Sequence, residues 1–189
     1  MNVSCAKCHD HPLADDWKQD HYYGMQSFFS RTFVTKSQTL AEKFYGEVKF
    51  KTTKGVEKQA RFMFLNGSVA EEPAKELSAD EKKKLDEEVK KLQKDDKAKP
   101  RMPEFSPRQE LVKLALSEKD SPFFAKNIAN RLWHRFFGRG IVEPPDQIHT
   151  GNPASHPELL DWMARDLRTH GYDLKRLIRG IVLLSLIHI

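Results

Sequence analysis

Cysteine is nearly missing from this chain: 189 residues hold two, Cys5 and Cys8. Lying three residues apart, they exclude a disulfide framework and place both sulfurs in one local piece of chemistry or in none. Long apolar runs are missing too. No stretch approaches the roughly 18–20 residues that cross a bilayer, so no membrane span is expected. The first twelve residues have neither a basic region nor an apolar one, and no signal peptide is visible. There is no Gly-x-Ser-x-Gly elbow, Walker loop or dinucleotide fingerprint, so no local motif assigns an enzyme class.

What is present describes a soluble, folded chain. Hydrophobic residues make up 39%, charged residues 31% and aromatic residues 10%, enough for one sizeable core or two small ones and too aromatic for wholesale disorder. The formal charge is +5, but the two signs are interleaved, which argues against a nucleic-acid surface. The kind of base changes along the chain. Residues 1–100 carry 17 Lys and 2 Arg, residues 101–189 carry 4 Lys and 9 Arg, so the second part is richer in forked donors suited to carboxylate or phosphate.

Periodicity and punctuation predict a mainly α fold with one small β-hairpin and a charged helical insertion. A short helix is expected near Asp20–Phe33, with Asp20 as its N-cap. The hairpin pairs Phe44–Thr52 with Val56–Leu65 across Thr53-Lys54-Gly55, and Asn66-Gly67 closes it. From Ser68 to Pro103 the composition is mostly Lys, Glu, Asp and Ala; Ser78 and Glu81 form a capping box for one solvated helix to about Lys94. Four helices follow: Pro107–Leu116; Ser121–Phe137, capped by Ser121 with Pro122 behind it; a third capped by Ser155, with Leu159, Leu160, Met163 and Leu167 as its buried stripe; and a fourth capped by Asp173. The apolar residues of the Ser121–Phe137 helix (Phe123, Phe124, Ile128, Leu132, Trp133, Phe136 and Phe137) cover more than half its circumference, so this helix is expected to be central to the core. The segmentation is 1–67 for the Cys/His segment plus hairpin, 68–103 for the charged linker and 104–185 for the helical unit. Residues 186–189 read as a foreign tail.

Cys5-Ala6-Lys7-Cys8-His9 is C-x-x-C-H, the attachment pattern of c-type haem. Two thiols at this spacing can each add to a haem vinyl group, and the next imidazole is placed to ligate iron. His21 or Met25 could supply the second axial ligand. Zinc is the alternative, held by Cys5, Cys8, His11 and His21, with His9 awkward as a ligand beside Cys8. A dithiol redox pair and a purely structural loop are further readings; a thioredoxin-like βαβ pattern is not evident. A weaker signal lies on the Ser121–Phe137 helix, where Asn127, Arg131, His134 and Arg135 share a face and Arg139 follows. Arg131, Arg135 and Arg139 could hold an anionic ligand or another domain. The competing reading is a polar stripe that satisfies the Gly138–Asp146 loop.

Two segments resemble known families. Ser4 to Phe29, with the CAKCHDHP run, Trp17, Asp20-His21-Tyr22-Tyr23 and Phe28-Phe29, resembles the end of the planctomycete cytochrome-c-like domain. Pro107 to about Leu183 resembles the planctomycete-specific domain of unknown function that follows it, through Asn130-Arg131-Leu132-Trp133, Phe136-Phe137-Gly138-Arg139-Gly140, Val142-Glu143-Pro144, Asn152-Pro153, His156 to Trp162 and Asp173-Leu174-Lys175. The resemblance implies a multidomain, extracytoplasmic protein of unknown activity with an unknown redox or domain partner, and Cys5, Cys8 and His9 as haem residues. It supplies no catalytic residues. It also implies that the chain is a fragment, whose missing leader says nothing about its compartment.

Overall fold

Ser78 shows how local chemistry sets an element. Its hydroxyl accepts the Glu81 N–H and the Glu81 carboxylate accepts the Ser78 N–H, a complete capping box that opens helix α2 at Ala79–Lys94. The computed structural model describes residues 3–74, 77–117 and 123–187, with the side chains of 185–187 left aside. Its other helices are α1 (Gln19–Phe29), α3 (Pro107–Leu116), α4 (Phe123–Phe137), α5 (Pro157–Thr169) and α6 (Leu174–Ile187). The fold is mainly α, as its periodicity predicts. The chain divides into two compact units, one made of residues 1–19 with 115–189 and the other of residues 20–114.

The second unit contains three small antiparallel hairpins rather than one. Strands β3 (Lys49–Lys51) and β4 (Glu57–Gln59) form the expected pair. Thr32–Val34 (β1) pairs with Leu40–Glu42 (β2), so α1 ends at Phe29, short of Phe33. The physical reason is the turn between these strands: the Thr35 hydroxyl bonds the Thr39 hydroxyl at 2.7 Å and accepts the Thr39 N–H at 3.1 Å, an alternative to helix that Thr and Ser side chains offer the backbone. Phe62–Met63 (β5) pairs with Val69–Ala70 (β6). Asn66-Gly67 is therefore the turn of a hairpin of its own, the ordinary use of that dipeptide. Asp20 does not cap α1 but lies inside its first turn. Helix α1 meets β5 at Gly24, where a Cβ would stand 2.6 Å from that of Met63. The buried Glu42 carboxylate accepts from the Ser106 hydroxyl and from Arg108 Nε at 3.0 Å, which ties the start of α3 to β2.

In the first unit the core is Ala125 and Ala129 of α4, Leu160, Met163, Ala164 and Leu167 of α5, Leu177 and Ile181 of α6, and Ile141, Val142 and Ile148 of the loop between α4 and α5. Leu160, Met163 and Leu167 of the expected α5 stripe are buried, Ala164 joins them at i+4 and Leu159 is partly buried beside them. Helix α4 is central to this core, as expected, with Phe123, Ile128, Leu132 and Trp133 packed against it. Its buried face is Ala125, Ala129 and Asn130, whereas Phe124, Phe136 and Phe137 are exposed. Small residues let the α4 and α5 backbones approach, and the larger rings are left at the rim. Ser121 and Pro122, the expected cap and first-turn proline, lie outside the described residues. Asp173 caps α6 as expected, its carboxylate accepting the Arg176 N–H at 3.1 Å. Ser155 does not cap α5; His156 holds that position without a side-chain cap bond, and the Ser155 hydroxyl donates to the Ile141 carbonyl at 3.0 Å.

Candidate functional site

Residues 4–7 form a single 3-10 turn, and the Cys8 N–H reaches back to the Cys5 carbonyl at 3.4 Å. The turn has an inner and an outer side. Ala6 is fully buried and the Lys7 carbonyl accepts from the buried Gln19 Nε2 at 3.2 Å, which pins the inner side. Cys5, Cys8 and His9 are exposed, and both thiols are free. The His9 ring Nδ1 lies 2.6 Å from the Asp10 carbonyl oxygen. A carbonyl can only accept, so Nδ1 carries the proton and the lone pair of the neutral ring stays at Nε2. A backbone partner on one ring nitrogen is how proteins orient a histidine for a metal on the other.

His11 is arranged the other way. It is 5% exposed, and its Nδ1 accepts the Leu13 N–H at 3.3 Å. Its ring stands edge-on to Trp17 at 5.4 Å and 6.0 Å from His149. Trp17, 2% exposed, also meets His149 at 5.7 Å and Phe123 at 6.3 Å. The Thr150 hydroxyl donates to Asp16 at 2.7 Å. This nest seats the N-terminal segment on the loop that precedes α5, and the sequence reading missed His149's part in it. A His three residues before an Asn (Asn152) in a loop gives no such signal, because the partner lies over a hundred positions away.

Of the expected site residues, then, the structure gathers Cys5, Cys8 and His9 in one turn, and His11 points its chemistry into its own nest. His21 and Met25 stand on α1, in the other compact unit. Among the described residues no group of three or more His, Cys, Asp and Glu could hold a metal ion. Arg131, Arg135 and Arg139 are all exposed, and Arg131 Nε donates to Asn127 at 3.1 Å. The loop after α4 is satisfied not by this face but by Asn130, which the sequence reading left unassigned. Its amide donates to the Val142 carbonyl and accepts the Val142 N–H, both at 2.9 Å.

Burial pushes the His149 imidazole below its ordinary value of 6.5; His11 adds to this and Asp16 opposes it. An imidazole that titrates lower when folded binds fewer protons in the native chain than in the unfolded one. The unit therefore loses stability as pH falls through the ordinary histidine range and levels off below the folded value. Thermal melts across that window are expected to show the loss, and His149→Asn to flatten it. An unchanged slope in His149→Asn would place the titration elsewhere.

A mainly α chain with an exposed C-x-x-C-H turn seated on a helical unit is the class of molecule these features define. Residues 107–186 match the family model described as PSD1, protein of unknown function (DUF1553), and residues 1–33 match PSCyt2, protein of unknown function (DUF1549). Both are planctomycete-type domains, and neither description states an activity or a cofactor. No curated protein and no solved structure matches the chain significantly. Among the described residues no helix is long and apolar enough to cross a membrane.

Proposed function

We propose that residues 5–9 are a covalent attachment turn for c-type haem, in an extracytoplasmic multidomain protein with an electron-transfer role. The observation that carries this is the outward triplet: two free thiols on one pinned turn, followed by an imidazole whose Nδ1–H is committed to the Asp10 carbonyl. The residues fit the group. Cys5 and Cys8 would each add across one vinyl group, the sulfur bonding one carbon and the thiol proton passing to the next, which needs reduced thiols and no oxidant. His9 would offer Nε2 to the iron, already oriented by its backbone partner. Gln19 and Ala6 hold the turn while both thiols react. The chemistry supplied when the group is bound is one-electron transfer. His11 speaks against the zinc alternative, because its Nδ1 lone pair is used by Leu13 and its ring is enclosed by Trp17 and His149.

Export of the chain in a host competent for haem attachment, followed by denaturation in pyridine, tests the reading. A haemochrome band that survives denaturation is expected from the natural sequence, reduced in Cys5→Ser or Cys8→Ser and abolished in the double variant. No band, in cells that load a control cytochrome, overturns it; one tightly held zinc per chain would then favour the metal-stabilised module.

A further inference from the structure

The second unit contains an open cleft of about 1490 Å3, walled by Phe44–Val48 and Phe62, by Leu85 and Glu88 of α2, and by Arg101–Phe105. Two arginines in it are held by the same arrangement. The Arg31 guanidinium lies 5.2 Å from the Phe62 ring centroid, with its two terminal nitrogens on the Glu72 carboxylate at 2.7 Å each. The Arg101 guanidinium lies 4.8 Å from the Phe44 centroid, with Nε and a terminal nitrogen on Glu88 at 2.9 and 2.8 Å. A carboxylate taken by the fork and an aromatic face against the plane are features that select arginine over lysine.

The two arginines differ in how firmly they are held. The Arg31 side chain is 4% exposed and also donates to the Gly46 carbonyl at 3.1 Å, so it belongs to the fold. The Arg101 side chain is 62% exposed and comes from the non-repetitive stretch that follows α2. An exposed ion pair of this kind is worth about 1 kcal/mol or less, so an external arginine can compete for its place. Among the described residues the cleft is lined by seven carboxylates and four cationic side chains on a chain of net charge +5, and this local reversal of sign favours a basic partner.

We propose that Phe44 and Glu88 form a docking seat for an arginine-bearing extended segment of a partner protein, and that Arg101 is the internal occupant such a segment displaces. Glu47 and Glu71, exposed and lining the same cleft, complement basic residues beside the docked arginine.

The test uses the full chain and a blocked peptide of residues 99–103, alongside the same peptide carrying lysine in place of arginine. The Arg101→Ala variant is expected to bind the arginine peptide about fivefold more tightly than the natural chain, whose seat is filled. The lysine peptide is expected to bind more weakly, and adding Glu88→Gln to Arg101→Ala to remove the gain. Both substitutions lie on the surface, and circular dichroism checks that the fold is kept. Equal affinities for the natural chain and Arg101→Ala, equal binding of the two peptides, or indifference to Glu88→Gln each overturn the proposal. A concentration-dependent dimer that disappears in Arg101→Ala would assign the seat to the same segment of a second copy, and would overturn the partner reading as well.

Discussion

Asn130→Leu is expected to lower the stability of the helical unit by about 3 kcal/mol, because it leaves buried backbone groups dry rather than because it removes volume. Asn130 is 0% exposed. Its amide nitrogen donates to the carbonyls of Val142 at 2.9 Å and Pro145 at 3.4 Å, while its oxygen accepts the Val142 N–H. Leucine fills a similar space and pairs with none of them. The loop has little freedom to find substitutes, since at Gly140 a Cβ would already stand 2.3 Å from the Val142 carbonyl oxygen. Thermal melts should show a fall on the order of 10 °C. Asn127→Leu, one turn earlier, is the control. The Asn127 amide nitrogen is buried with no partner among the described residues, and its oxygen accepts from the exposed Arg131 Nε, so its removal should cost about 1 kcal/mol or less. A small effect at Asn130 and a large one at Asn127 would reverse the assignment.

Trp17→Ala carries the second large effect, a loss of about 3–4 kcal/mol from emptying a fully enclosed aromatic site. Trp17 holds the segment that bears the candidate attachment turn: its ring meets those of His11 and His149, and it packs against Phe123 of α4. Two readouts separate this from general damage. Amide exchange is expected to accelerate over residues 4–17 before it does in α5. The His149 titration, followed by NMR, is expected to move back up toward 6.5, because the burial that lowers it is relieved. Trp17→Phe should keep most of both. If His149 titrates unchanged in Trp17→Ala, the nest is not what dries the imidazole.

Several elements were legible because their causes are local. The α2 capping box needs only Ser78 and Glu81 three residues apart, the α6 cap only Asp173, and the α5 stripe only its own spacing. The β3–β4 hairpin is carried by its alternation and turn. The C-x-x-C-H motif is legible in the same way, since two sulfurs and an imidazole within five residues must share one turn. The misses are equally instructive. The β1–β2 hairpin is specified by a cluster of Thr35, Ser37 and Thr39 hydroxyls, which resembles a polar loop until its bonds are seen. The apolar side of α4 does pack against the core through Phe123 and Trp133, yet close approach to α5 gives the most buried positions to Ala125 and Ala129 and leaves Phe124, Phe136 and Phe137 exposed. Asn127 and Asn130 are the same residue type three positions apart, and only the path of the following loop decides which one bonds its backbone.

Taken alone, the order of residues determined where α2, α3 and α6 start, most of the stripe of α5 that is buried, that no long apolar span occurs, and that the two sulfurs act together if they act at all. Each of these depends on groups within about a turn or two of one another. Tertiary structure decided the rest: that residues 1–19 join residues 115–189 in one unit, that His11 is spent in a nest with Trp17 and His149 while His9 faces outward, and that Glu88 of a charged, solvated-looking helix lines a cleft and holds Arg101. These are encounters between groups 13 to 138 positions apart, as the Glu88–Arg101 and His11–His149 pairs show. Packing geometry, which no local pattern encodes, is what brings them within reach.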